Sequence, residues 1–272
     1  MVLEVVGLKK YYKNIKAVDG VSFSIESGEI FALLGPNGAG KTTTLKCILD
    51  LRFKDAGEIV KKGIFTYVPE GKELYSNYTV KKIVETTEYL TDGFDKKKCF
   101  AVLEQFGIPY AEKVLELSNG QLTQLYLALV LAQKADLYIF DEPTWGLDPI
   151  ARNQVLEMIR NVSIQGGSVL YTSHILSEVE KVADKVAIMS KGKVVEMGDL
   201  DDLKERYCAI KVSPGTYVDG YKYKSTSSED VYIVTKEFAH ENNFEYEHVT
   251  FEVLFEAFVK GSNLNNEQNF RG

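Results

Sequence analysis

The sequence predicts an α/β protein, built on a P-loop core with an antiparallel β subdomain and an inserted helical subdomain. Three observations predict it. An apolar run, Ile30-Phe31-Ala32-Leu33-Leu34, leads directly into Gly35-Pro36-Asn37-Gly38-Ala39-Gly40-Lys41-Thr42-Thr43, and a helical stretch from Thr42 to Leu49 follows. A second apolar run, Leu137-Tyr138-Ile139-Phe140, ends in two acids, Asp141-Glu142, as strands buried on both faces do where their C-terminal tips carry chemistry. Between the two, residues 78–134 place three helical patterns in succession inside a strand-rich chain.

The nine residues 35–43 match G-x-x-x-x-G-K-[ST], a loop whose backbone N–H groups turn inward onto phosphate oxygens. Glycines 35, 38 and 40 permit the turn, Lys41 supplies a point charge for the β- and γ-phosphates, and Thr42 is placed to ligate Mg²⁺. The helix behind the loop aims its N-terminus at the anion.

Before the loop, Leu3 to Val6 and Val21 to Ile25 read as short strands, with Ser27-Gly28-Glu29 as a turn. Leu8 to Lys13 lies between those strands, and an exposed tyrosine there can stack on an adenine ring or simply sit on a sheet edge. After the loop, Gly57 to Ile59 and Ile64 to Val68 are strand-like. Pro69-Glu70-Gly71 leaves a carboxylate at the sheet edge where ligands of open α/β sheets bind.

The helical insertion spans Val80 to Leu90, then Asp95 to Phe106 with Asp95 as N-cap and Gly107 as stop. A third helix begins near Ser118 and carries Leu122, Leu125, Leu129 and Ala132 on one face. At its head, Leu117-Ser118-Asn119-Gly120-Gln121 reads either as an ordinary Ser cap or as a second anion site. Beyond the second apolar run, Asp141 suits a Mg²⁺ shell, and Glu142 suits orienting or deprotonating a water. Trp145 to Pro149 turns into an amphipathic helix with Val155, Ile159 and Val162 on one face. Ser168 to Thr172 is the next strand and delivers Ser173-His174 to the same edge. Strands at Lys185 to Met189 and Lys193 to Met197, then a helix from Leu200 to Arg206, close the domain.

Composition sets the remaining bounds. With 272 residues and 45% hydrophobic content, the chain holds one large domain, or one with a small appendage. A net charge of −7 argues against nucleic acid as a partner. The cysteines, Cys47, Cys99 and Cys208, have neither zinc-site nor disulfide-frame spacing and suit a cytosolic chain. No apolar run approaches the length of a membrane span, and the N-terminus is unlike a secretory signal, so the reading is a cytoplasmic protein.

Taken together, residues 1–205 resemble the ATP-binding cassette (ABC) transporter ATPase subunits. The motifs stand in the family's order: the P-loop at 35–43, the Gln-loop position at Glu70, the signature at 117–121, and the Walker B acids Asp141-Glu142. The D-loop Gly146-Leu147-Asp148 and the switch histidine His174 follow. The resemblance implies ATP and Mg²⁺ as cofactors, with Thr42, Asp141 and Glu70 around the metal. It implies Tyr12 rather than Tyr11 as the adenine-stacking aromatic. Lys41, Glu142 and His174 become the catalytic set, with Glu142 orienting the water and His174 holding water and γ-phosphate. Ser118, Gly120, Gln121 and Asp148 would act across a head-to-tail dimer on the nucleotide of a second copy or a homologous ATPase. Three departures stand out: Glu70 in place of Gln, Asn119 in place of the first signature glycine, and Leu122-Thr123-Gln124-Leu125 where basic residues often occur.

Residues 206–260 form an aromatic-rich α+β appendage, with strand-like Tyr221 to Tyr223 and Val231 to Thr235 and a helix from Phe251 to Val259. Residues 261–272, rich in Asn, are expected to be disordered. The ending F-E-V-L-F-E-A-F-V-K-G is similar to that of exporter ATPases. The resemblance therefore implies an exporter subunit on the cytoplasmic face of the membrane, paired with a separately encoded permease. An importer ATPase and a soluble non-transport ABC ATPase are the competing readings.

Overall fold

Burial alternates along the central strands, and the alternation puts two different cores on the two faces of one sheet. The computed structural model describes residues 1–268, with side chains through residue 261. In β3 (Ile30–Leu34), Ile30, Ala32 and Leu34 enter one core while Phe31 and Leu33 enter the other. The same division holds in β6 (Leu137–Asp141), where Tyr138 and Phe140 oppose Leu137 and Ile139. Because successive side chains on a strand point to opposite faces, an unbroken apolar run is what a doubly covered strand requires.

The sheet has six strands. With β5 (Phe65–Val68), β7 (Ser168–Ser173), β8 (Lys185–Ser190) and β9 (Lys193–Asp199), its order is β5-β6-β7-β3-β8-β9. All neighbours run parallel except β8 and β9. Thus β6, β7 and β3 lie side by side, and their C-terminal ends deliver Asp141-Glu142, His174 and the P-loop to one edge. One face is covered by a three-stranded antiparallel sheet, in the order β2-β1-β4, and by α1 (Lys41–Ile48). Its strands are β1 (Leu3–Tyr12), β2 (Ile15–Ile25) and β4 (Ala56–Lys61). The other face is covered by α5 (Pro149–Ile164), α6 (Leu176–Val182) and α9 (Phe251–Gln268).

The first hairpin is longer than the sequence pattern suggests. Residues 8–12 continue β1 rather than forming a connection, and the reversal falls at Lys13, whose φ of 52° is the left-handed conformation of a tight turn. Ladder pairing reaches Tyr12↔Ile15 despite the charged residues, while this stretch packs inward through Leu8, Val18 and Val21.

Helices α2 (Val80–Leu90), α3 (Lys96–Gln105) and α4 (Asn119–Leu131) form the inserted subdomain. Thr79 caps α2, Asp95 caps α3 and Ser118 caps α4, each accepting a backbone N–H three residues on. Leu125, Ala128, Leu129 and Ala132 bind α4 to α2 and α3, whereas Leu127, Val130 and Leu131 join the main core. Apolar on two sides, α4 fastens the insertion to the sheet, so the single apolar face expected for it is only half of its contacts.

The C-terminal segment is continuous with the core. No linker precedes it: α7 (Leu200–Arg206) ends where β10 (Tyr207–Val212) begins. With β11 (Tyr221–Ser225), β12 (Asp230–Thr235) and β13 (Tyr246–Glu247), β10 makes an antiparallel sheet ordered β11-β12-β10-β13, flanked by α8 (Lys236–Glu241). Phe251, Leu254, Ala257 and Phe258 of α9 then return to the main core, where Phe258 meets the rings of Tyr207 and Tyr221 edge-on. The expected appendage is therefore partly core. The tail expected to be disordered from Ser262 begins within α9; residues 269–272 lie outside the described ones.

Candidate functional site

Two glycines of the P-loop are dictated by contact. A Cβ on Gly40 (φ 107°) would stand 2.3 Å from the carbonyl oxygen of Ala17, and one on Gly35 would stand 2.4 Å from that of Met189. The loop is thus pressed against β2 and β8 with no room for a side chain. The ammonium of Lys41, nearly buried at 6% exposure, donates to the Gly35 carbonyl at 2.7 Å and pairs with Glu142 Oε1 at 3.3 Å.

Asp141 is fully buried. Its Oδ1 accepts from the hydroxyls of Thr42 at 3.1 Å and Thr172 at 2.7 Å, and its Oδ2 accepts from Tyr67 at 3.3 Å. Burial, then the charge of Asp141, holds the Tyr67 phenol well above its ordinary pKa, so it remains a donor. Thr172 Oγ1 also accepts the Glu142 N–H at 2.9 Å, tying both acids to β7. Glu142 has a φ of 49°, a left-handed conformation that non-glycine residues adopt rarely and that clusters at functional sites. Its Oε2 lies 2.9 Å from His174 Nδ1, which is the donor of that pair when the carboxylate is ionised. Glu142 therefore stands between Lys41 and His174.

A cavity of about 620 Å³ opens over this edge, within the usual size range for small-molecule sites. The P-loop from Pro36 to Thr43 forms its floor, Glu142 and Glu70 one side, and Tyr12, Ile15 and Lys16 the other. Tyr12 is 41% exposed, with the Lys10 ammonium 5.3 Å from its ring centroid. Tyr11 is engaged elsewhere: its hydroxyl donates to Asp19 at 2.7 Å and its N–H to Asp55 at 2.5 Å. Glu70 is exposed on the turn after β5, where its carbonyl accepts from Lys72 Nζ at 3.2 Å.

The signature residues do not join this cavity. Ser118, Gly120, Gln121 and Asp148 line a second one, of about 430 Å³, which shares no residue with the first. Ser118 and Gln121 form a capping box, side chain to backbone in both directions. Asp148 caps α5, accepting the N–H groups of Ile150 and Ala151, and those bonds hold its carboxyl below the ordinary range.

Thr172 and Tyr67 have no signal in the local pattern, since each reaches Asp141 only because neighbouring strands are in register. Glu178 is likewise silent in sequence. It is 2% exposed, accepts from Thr144 at 2.6 Å and pairs with Arg152 at 3.1 Å, and burial raises its carboxyl above the ordinary range. Among the described residues no cluster of three or more His, Cys, Asp and Glu side chains could hold a metal ion by itself.

The sequence pattern of the family described as ABC transporter matches residues 18–145. The ABC transporter ATP-binding protein YtrB of Bacillus subtilis is 35% identical over 222 residues, covering 75% of this chain and 76% of its own length. The Nod factor export ATP-binding protein I of Paraburkholderia xenovorans is 34% identical over 211 residues, covering 70% and 68%. Among solved structures, an ATP-binding subunit of an ABC transporter superposes with a TM-score of 0.69 at 28% identity, over 75% of this chain and 92% of that one. A relative so similar over three quarters of its length, on a cassette fold with the P-loop and paired acids at one sheet edge, settles the family: the chain belongs to the ABC transporters, as one of their ATP-binding, ATP-hydrolysing subunits.

Proposed function

We propose that this subunit drives an exporter, closing on ATP as a pair of cassettes beneath a separately encoded permease. The observation that carries the pairing is the division of the motifs: the P-loop and Glu142 line one cavity, with His174 set against Glu142, while Ser118, Gly120 and Asp148 line another on the same chain. A second cassette set head to tail would bring its signature over the nucleotide held here. Export is supported by the named role of the Nod factor relative and by the resemblance of the chain's ending to exporter ATPases. Among the described residues no helix is long and apolar enough to cross a membrane, so the proposed transporter takes its spans from a permease subunit. Large apolar side chains stand ready at the surface, with Phe53 91% and Tyr89 89% exposed.

In this reading the P-loop amides and Lys41 hold the β- and γ-phosphates. Glu142, fixed between Lys41 and His174, orients the attacking water and takes its proton. Thr42 and Asp141, whose oxygens are 3.1 Å apart, would hold Mg²⁺ with Glu70 as a third donor, and the ion would supply positive charge against the phosphates. Tyr12 provides the adenine platform. Stacking of this kind is worth roughly 1–3 kcal/mol. Tyr12→Ala is therefore expected to weaken ATP binding about ten-fold or more, with Tyr12→Phe nearly silent, as read by equilibrium titration with a fluorescent ATP analogue. Tyr11→Ala, which breaks the bond to Asp19, should cost stability instead; an affinity loss confined to Tyr11→Ala would move the platform by one residue.

The test of pairing uses Ser118→Arg, which places a cation and bulk in the signature cavity away from the P-loop. The variant should bind ATP as the parent does but lose ATP-dependent dimer formation on gel filtration and most of its turnover. Undiminished turnover in Ser118→Arg would remove the head-to-tail arrangement.

A further inference from the structure

Glu178 is a buried carboxylate outside the nucleotide cavity, and its partners belong to the segments that carry the site. It lies in the first turn of α6, four residues beyond His174. Its Oε2 accepts the Thr144 hydroxyl at 2.6 Å, and Thr144 is two residues beyond Glu142. Its Oε1 lies 3.1 Å from Arg152 Nε, close enough for an ion pair but misaligned for a hydrogen bond. Arg152 in turn donates to the carbonyl of Leu147 at 3.3 Å, next to Asp148. One side chain thus gathers the 142–148 segment, directly at Thr144 and through Arg152 at Leu147, onto the helix that follows His174.

A buried charge is a poor way to stabilise this contact. An apolar side chain of similar volume would fill the space at no desolvation cost, and replacing buried ion pairs in that manner is often neutral or stabilising. What a carboxylate adds here is direction, since it fixes a hydroxyl and a guanidinium at set positions. Glu142 needs such fixing: its φ of 49° persists only where surrounding contacts over-determine it. Within the segment the backbone turns on two hydrogen bonds, the Trp145 N–H donating to Glu142 O at 3.2 Å and the Leu147 N–H to Thr144 O at 3.2 Å. Between those turns stands Trp145, 59% exposed. The neighbouring Tyr171 hydroxyl is buried and has no hydrogen-bond partner, so it does not anchor the group.

We propose that Glu178, acting with Arg152, is a positioning residue of the ATPase centre: it clamps residues 142–148 to the turn bearing His174, so that Glu142, His174 and the Asp148 end move as one unit. The inference rests on Glu142 and His174 being the hydrolytic pair. Glu142→Gln and His174→Ala in the same assay check that reading separately, because turnover undiminished in both would remove the pair whatever Glu178 does.

The experiment compares Glu178→Gln, Arg152→Met and their double variant with Val179→Ala, which opens an apolar cavity in the same helix and removes no polar group. Glu178→Gln should lower kcat about 10- to 100-fold, the scale expected when catalytic groups are misplaced by an ångström or less, with nucleotide affinity unchanged. The double variant should be no worse than the poorer single one, because the two residues act as a unit. Acrylamide quenching of Trp145, the chain's one tryptophan, should rise in Glu178→Gln and stay at the parent value in Val179→Ala. Parental kcat in Glu178→Gln, losses that multiply in the double variant, or an equal kcat loss in Val179→Ala would each overturn the proposal. Should Glu178→Gln fail to fold, Thr144→Val decides: it removes only the hydroxyl that the carboxylate holds, and parental turnover there would overturn the clamp.

Discussion

Glu142→Gln is expected to bind ATP like the parent chain and to hydrolyse it roughly 10²- to 10⁴-fold more slowly, the usual contribution of a general base. That is about 3–5 kcal/mol of barrier, at 1.36 kcal/mol per ten-fold. The substitution is nearly isosteric, so the strained backbone at φ 49° and the Thr172 bond to the Glu142 N–H are kept. What changes is the charge between Lys41 and His174. The amide still offers one oxygen to one of them but presents an NH₂ group to the other, and it cannot take a proton from water. If hydrolysis is what opens the proposed pair of cassettes, ATP should trap Glu142→Gln as a dimer. Gel filtration with ATP and Mg²⁺ reads this directly, and Ser118→Arg in the same background should return it to monomer. A Glu142→Gln protein that turns over at the parental rate would displace Glu142 as the base.

The parts of this site written in contiguous residues are the parts that sequence reveals. The P-loop needs glycines where Ala17 and Met189 press on it, so its constraints appear within nine residues. The strand carrying Asp141 and Glu142 must be apolar throughout because both faces are covered. Contacts made across strands leave no such trace. Thr172 secures both acids only because Asp141 and Thr172 are ladder partners, a registry that nothing in either strand announces. Helix α6 escapes pattern reading because it is short and lacks a start signal: Ile175 stands at its N-cap, whereas α7, of equal length, is preceded by Asp199. Glu178 within α6 looks like an ordinary solvated acid until folding buries it. The β1–β2 hairpin is hidden for a different reason: the alternation that marks a strand fades over the charged Lys9 and Lys10, although the backbone ladder continues to Tyr12. The C-terminal segment reads as an appendage since its strands are separate in sequence, while its place in the main core depends on α9 folding back on β8, β9 and β11.

Lys41→Ala should abolish ATP turnover, and the structure adds a consequence for stability. The ammonium is the only group on the P-loop itself that brings a full positive charge to the β- and γ-phosphates, so without it both binding and charge stabilisation in the transition state fail. It is also the buried partner of Glu142, at 3.3 Å, with both side chains less than a tenth exposed. Removing one member of such a pair strands the other in a poorly solvated site, a change that typically costs about 3–5 kcal/mol. His174 at Oε2 and the mouth of the cavity soften this, so the lower end of that range is expected here. Lys41→Ala should therefore melt several degrees below the parent, and Lys41→Ala/Glu142→Gln should recover most of that loss while remaining inactive. The sign follows from charge alone: the double variant has no uncompensated carboxylate. Thermal unfolding by circular dichroism and an ATPase assay on the same samples separate the two effects. Turnover retained in a folded Lys41→Ala protein would remove Lys41 from the phosphate site, and a double variant that melts as low as the single one would show that the Glu142 pair contributes nothing to the fold.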